Sequence, residues 1–93
     1  MLESFKCKET RKIWGQQFSR KFPKEIQTIA RRKLIAISIA GNIQDLRQPL
    51  SNHLEKLGGD RKGQNSIRIN DKWRICFKWR NGNAYDIEIV DYH

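Results

Sequence analysis

Trp73-Arg74-Ile75-Cys76-Phe77-Lys78-Trp79-Arg80-Asn81-Gly82-Asn83-Ala84-Tyr85-Asp86-Ile87-Glu88-Ile89 is the stretch that decides how this chain folds. On one side of Asn81-Gly82-Asn83, Trp73, Ile75, Phe77 and Trp79 alternate with Arg74, Cys76 and Lys78; on the other, Tyr85, Ile87 and Ile89 alternate with Asp86 and Glu88. Alternation of period two gives each strand one apolar and one polar face. Asn-Gly between such runs signals a tight hairpin, because both residues tolerate the left-handed backbone the turn requires. Just upstream, Ile67 and Ile69 alternate with Ser66, Arg68 and Asn70, and Asn70-Asp71 supply a second turn. The expectation is an antiparallel three-stranded meander whose charged face carries Arg68, Lys72, Arg74 and Lys78.

The apolar face needs cover, and the preceding sequence offers helices. Leu2 to Cys7 alternates like a short strand, and Thr10 can cap a helix over about residues 11–18, with Ile13, Trp14 and Phe18 at helical spacing. Pro23 fits the first position of a second helix, where its missing N–H costs nothing. Ile26, Ile29, Ala30, Leu34 and Ile37 draw its apolar stripe, and Gly41 is placed to end it. Arg31, Arg32 and Lys33 on this helix fit phosphate or protein contacts or a solvated face, the plainer reading for such a run. Between residues 42 and 65 periodicity fades, and Pro49, Gly58, Gly59 and Gly63 mark a long connection carrying His53, Lys56, Arg61 and Lys62. Connections of this length in compact domains are usually functional or mobile. The expected architecture is α+β: an N-terminal strand, two helices, a long loop, then the meander, with the helices packed on one sheet face in a single domain spanning residues 1–93.

Ninety-three residues hold one small core. Lys and Arg number 19 against 10 Asp and Glu, a net charge of +9 that favours approach to a polyanion: nucleic acid, the ribosome or an acidic protein. No run approaches the ~18–20 continuous apolar residues of a membrane span, and no basic segment followed by an apolar core opens the chain, so a cytoplasmic protein is expected. Cys7 and Cys76 lack the paired spacing of a zinc or redox motif and are expected to be reduced, buried thiols in strands.

Chemistry concentrates at Asp91-Tyr92-His93. His93 is the candidate general acid or base, since an imidazole titrates near operating pH, and an α-carboxylate on the same residue would favour the imidazolium. Tyr92 can stack on a base or serve as packing; Asp91 can orient a ribose or imidazole, or pair with an arginine. On the charged face, Arg68, Lys72, Arg74 and Lys78 suit phosphate. Salt bridges to Asp86 and Glu88 are the alternative, although two acids cannot neutralise four bases. His53 is by default a solvent-facing loop residue, and no cluster at ligand spacing suggests a metal.

The blocks Gly59-Asp60-Arg61-Lys62-Gly63, Ser66-Ile67-Arg68-Ile69-Asn70, Trp73-Arg74-Ile75-Cys76-Phe77, Gly82-Asn83-Ala84-Tyr85-Asp86 and Asp91-Tyr92-His93 together resemble the HigB toxins, a branch of the RelE/ParE superfamily. The resemblance implies the toxin of a type II toxin-antitoxin system: an mRNA endonuclease cutting message in the ribosomal A site by metal-independent attack of the ribose 2′-hydroxyl. It implies no cofactor, and a HigA-type helix-turn-helix antitoxin as partner. By matching blocks, Arg74 would stabilise the transition state, and Asp91, Tyr92 and His93 would form the catalytic and stacking cluster. Arg61 and Arg68 would hold RNA, with Lys78 on the same basic face. Relatives often carry lysine where this chain has Gly58, so Lys56 or Lys62 is the candidate for that charge, and His53 corresponds to an upstream histidine of some relatives. Two other classes fit the sequence: a ParE-like non-catalytic poison of DNA gyrase, and a plain basic RNA-binding module.

Overall fold

Asn81 and Gly82 both adopt positive φ, 51° and 78°, and close the hairpin between β3 (Trp73–Arg80) and β4 (Asn83–Asp91). The computed structural model, which describes residues 1–91, adds β2 (Gln64–Arg68) and a two-residue β1 (Glu55–Lys56), giving a four-stranded antiparallel sheet in the order β1-β2-β3-β4. The expected three-stranded meander thus gains an edge strand from the long loop. That loop also carries three short 3-10 turns, Ile43–Arg47, Leu50–Asn52 and Gly59–Arg61.

Helices α1 (Lys8–Trp14) and α2 (Lys24–Ile39) cover the apolar sheet face, as expected. Ile26, Ala30, Leu34 and Ile37 of α2 meet Ile67, Ile75, Phe77 and Ile87 in a core where none exceeds 1% exposure. Each large side chain so buried contributes roughly 1.5–3 kcal/mol, enough for one small core to hold both layers. The helix ends differ from expectation. Helix α1 starts at Lys8, and Thr10 lies inside it, fully buried, its hydroxyl accepting the Ile89 N–H at 3.0 Å and tying α1 to β4. Phe18 falls past the helix, 62% exposed. Pro23 is the residue before α2 rather than its first, and α2 ends at Ile39 with Ala40 extended, so no left-handed glycine closes it.

The expected N-terminal strand is reduced to two isolated parallel bridges, Leu2 to Ala84 and Phe5 to Ile87. A bulge explains this. β4 carries one residue more than β3 between the Cys76–Glu88 and Lys78–Tyr85 pairs, Asp86 takes φ 51°, and the Ser4 hydroxyl accepts the Asp86 N–H at 2.9 Å. An extra residue interrupts the ladder that a continuous partner strand would need. The bulge also reverses the side-chain parity of Tyr85, which sits opposite Lys78 on the charged face, while the fully buried Ala84 takes the inward place opposite Trp79. Both cysteines are free; Cys76 is buried, but Cys7 is only half-buried and precedes α1 rather than lying in a strand.

Candidate functional site

The sheet face away from the helices is built in rows. Arg68 pairs with Arg74 and Arg74 with Val90; Glu55, Ser66, Cys76 and Glu88 form the next row; Gln64, Lys78 and Tyr85 the third. Like charges directly opposite each other in a ladder repel. Arg68 and Arg74 diverge accordingly: Arg68 turns to Asp71, three residues on, whereas Arg74 turns inward.

Arg74 is 8% exposed. Its Nε donates to the Ser66 hydroxyl at 2.9 Å, and one terminal nitrogen donates to the His53 carbonyl at 2.5 Å and the Ser66 carbonyl at 3.5 Å. The Glu55 carboxylate stands 4.0 Å off. A planar guanidinium held by three oxygens of fixed backbone and a buried serine keeps one orientation, and near-burial keeps its charge from dilution by water. His53 reaches this point through its backbone: it caps the Leu50–Asn52 turn in the left-handed region, φ 43°, with its side chain exposed.

Arg61 folds back over the same face from the Gly59–Arg61 turn and meets Glu88 at 2.7 Å and the Gln64 side chain at 3.2 Å. Lys6 approaches Glu88 from the N-terminal segment at 3.7 Å. Lys78 pairs with Asp86 at 3.2 Å, and Lys72 with Asp91 at 3.6 Å. The two acids expected on this face are therefore joined by Glu55 and Asp71, while Asp91 meets Lys72 from the end of β4, and each of the four bases has a carboxylate within 4.0 Å. Exposed pairs of this kind contribute about 0–1 kcal/mol. A phosphate can displace Asp71, 98% exposed at its side chain, far more readily than the 15%-exposed Glu88 that holds Arg61.

The structure brings Arg61, Arg68, Arg74, Lys78 and the His53 backbone to one face, but not every expected residue. Lys56 pairs with Asn65, so it has the opposite parity to Glu55; Lys62 is exposed just past the Gly59–Arg61 turn. Asp91 sits opposite Trp73, which gives it the parity of the helix face, not of Arg74. Tyr92 and His93 lie outside the described residues. Ser66 was read only as a polar strand position, and Glu55 and Asn52 went unremarked in the sequence. The alternation of Ser66 with Ile67 gives its face, yet only the β2–β3 register reveals that it holds Arg74.

Elsewhere, a cavity of about 490 Å³ lies between the end of α1 and α2, lined by Ile13, Phe18, Lys24, Arg31, Arg32 and Ile35 among others. Arg31 stacks on Trp14 at 5.7 Å, and its buried Nε has no hydrogen-bond partner among the described residues. No group of three or more potential metal ligands occurs among the described residues, and no described helix is long and apolar enough to cross a membrane.

Residues 3–93 match the family model for the RelE-like toxin of type II toxin-antitoxin system HigB. The chain is 33% identical over 93 residues to the Endoribonuclease HigB of Proteus vulgaris, covering 100% of both chains. It is 38% identical over 77 residues to Toxin HigB-1 of Vibrio cholerae, covering 76% of this chain and 81% of that one. Among solved structures, a chain of the heterotetrameric YoeB-YefM toxin-antitoxin complex of Staphylococcus aureus superposes with a TM-score of 0.61 at 20% identity, covering 100% of this chain and 98% of that chain. At that identity the likeness speaks for the fold.

Proposed function

The chain belongs to the HigB-like family of RelE-like toxins of type II toxin-antitoxin systems and is an endoribonuclease of that family; on that premise we propose that it cleaves message bound in the ribosomal A site. The observation that carries the reading is Arg74, a nearly buried guanidinium fixed by Ser66 and the His53 carbonyl on a face lined by Arg61, Arg68 and Lys78. In the proposed reaction the ribose 2′-oxygen attacks the adjacent phosphorus and the bond from phosphorus to the 5′-oxygen breaks. The 2′-hydroxyl proton passes to a base, and the departing 5′-oxygen takes up a proton. Arg74 meets the charge that develops on the phosphoryl oxygens, where a preorganised donor acts without reorganising. Arg61, Arg68 and Lys78 hold the flanking phosphates, with Lys56, Lys62 and the His53 side chain at the rim. His93 moves the proton to the leaving oxygen, Tyr92 stacks on a base and Asp91 orients the imidazole or a ribose hydroxyl. No step requires a metal.

This reading places the protein in the cytoplasm with the ribosome. Its antitoxin is of the HigA type, with a helix-turn-helix fold, and docks in the groove between α1 and α2 through an acidic, apolar-faced segment. The basic lining and the unpartnered Arg31 Nε favour that occupant: a buried donor left unpaired costs about 1–3 kcal/mol, which an incoming oxygen relieves. The reading is tested with Arg74→Ala. Growth arrest and message cleavage should fall by roughly 10²–10³-fold, as when one transition-state donor is removed. A folded Arg74→Ala protein that arrests growth like the wild type contradicts it.

A further inference from the structure

We propose that Lys33 and Asn52 are positioning residues for Arg74, forming a clamp that runs from α2 through the loop to the His53 carbonyl. The proposal rests on the reading of Arg74 as the transition-state cation. Asn52 is fully buried and completely engaged: its amide donates to the Leu46 carbonyl at 3.1 Å and the Gln48 carbonyl at 3.2 Å, and its oxygen accepts from Lys33 Nζ at 2.5 Å. One residue on, His53 turns left-handed, φ 43° and ψ 58°, and its carbonyl meets the Arg74 guanidinium at 2.5 Å. The backbone N–H groups of Asn52 and His53 are fixed to the Pro49 and Leu50 carbonyls at 2.9 and 3.1 Å. A carbonyl on an otherwise irregular loop is thus placed by a side chain from the rigid core helix. Supporting a functional group through a second layer of hydrogen bonds is how geometry is held to the fraction of an ångström that catalysis requires.

The choice of lysine argues that more than loop stability is at stake. Burial first, then the neighbouring Arg32 and Arg68, pull the Lys33 ammonium below the ordinary lysine value, so this cation is kept where its surroundings disfavour charge. A neutral donor could hold Asn52 without that cost. A charge-assisted bond is shorter and stronger, and holds Asn52 in one position.

The experiment compares wild type, Lys33→Met and Lys33→Arg on programmed ribosomes, with the terminal guanidinium N–H protons of Arg74, which meet the His53 carbonyl, followed by NMR in the free proteins. Lys33→Met should lower the cleavage rate at saturating ribosomes on the order of 10- to 100-fold, as misplacement of a reacting group does, with little change in the half-saturating concentration. It should also speed solvent exchange of the Arg74 terminal guanidinium protons, and Lys33→Arg, which keeps a charged donor, should stay near wild type in both readouts. A folded Lys33→Met protein that cleaves normally, or that loses activity with the Arg74 terminal guanidinium protons unchanged, overturns the clamp. If Arg74→Ala itself cleaves normally, the catalytic reading of Arg74 falls while the exchange result still decides whether the clamp holds the side chain.

Discussion

Cys7 and Cys76 are the same residue type in opposite environments, and their chemistry should differ accordingly. Burial pushes the Cys7 thiol up, but hydrogen bonds from the Thr10 and Glu9 backbone, the Thr10 side chain and Lys21 outweigh it and leave the thiol below its ordinary value. Burial raises the Cys76 thiol, with the Arg61 charge opposing the rise and Glu88 adding to it, and 0% of Cys76 is exposed. Because the thiolate is the reactive form, limiting iodoacetamide should alkylate native Cys7 while sparing Cys76 until the protein unfolds. Peptide mass mapping that finds both labelled at similar rates would show that the sheet around Cys76 opens readily. Cys76 is the buried strand thiol that the sequence led one to expect, whereas Cys7, read in the same way, is only half-buried and lies outside any strand. The difference depends on where α1 begins, which leaves Cys7 just ahead of the helix rather than in a strand.

At the scale of elements, the hairpin and the stripe of the long helix were legible locally, whereas the N-terminal strand and the helix ends were not. The β3–β4 hairpin follows from Asn81-Gly82 between two alternating runs, and the stripe of α2 follows from Ile26, Ala30, Leu34 and Ile37. Strand β1 could not be seen, because Glu55 and Lys56 are both exposed and only the edge of β2 makes them a strand. The bulge at Asp86 likewise leaves no mark in an alternating sequence, yet it moves Tyr85 to the charged face, 4.7 Å beneath the Arg80 guanidinium. The groove between α1 and α2 also escapes sequence reading, since Phe18 and Arg31 meet its lining only once the corner at Ser19 is formed. That corner is held by the Ser19 hydroxyl on Glu9 at 2.7 Å and by Gln27. Reversing charge there with Arg31→Glu should weaken antitoxin binding by roughly 10-fold or more, in line with a lost charge-assisted contact, and leave cleavage in the absence of antitoxin unchanged. Undiminished antitoxin affinity, measured by calorimetry, would place the interface elsewhere.

For the whole molecule, a net charge of +9 is arranged rather than spread. One sheet face carries arginines tethered by carboxylates, and the opposite, helical side carries a second basic surface around Arg31 and Arg32. The first suits RNA, where exposed carboxylates give way to phosphates; the second suits an acidic protein. Composition made a polyanionic partner legible, and the ordered blocks through Asp91-Tyr92-His93 made the family legible. The pinning of Arg74 beneath a loop carbonyl, and the parity that sets Asp91 opposite Trp73, required the register of the sheet. The decisive measurement adds the purified protein to programmed ribosomes and to the same message free in solution, and maps the 3′ boundaries of cleavage by primer extension. Cuts at in-frame positions on ribosomes alone are the predicted result. No cutting in either setting would contradict the account and turn attention to a non-catalytic poison of the same fold, whereas equal cutting of free message would show a ribonuclease that needs no ribosome.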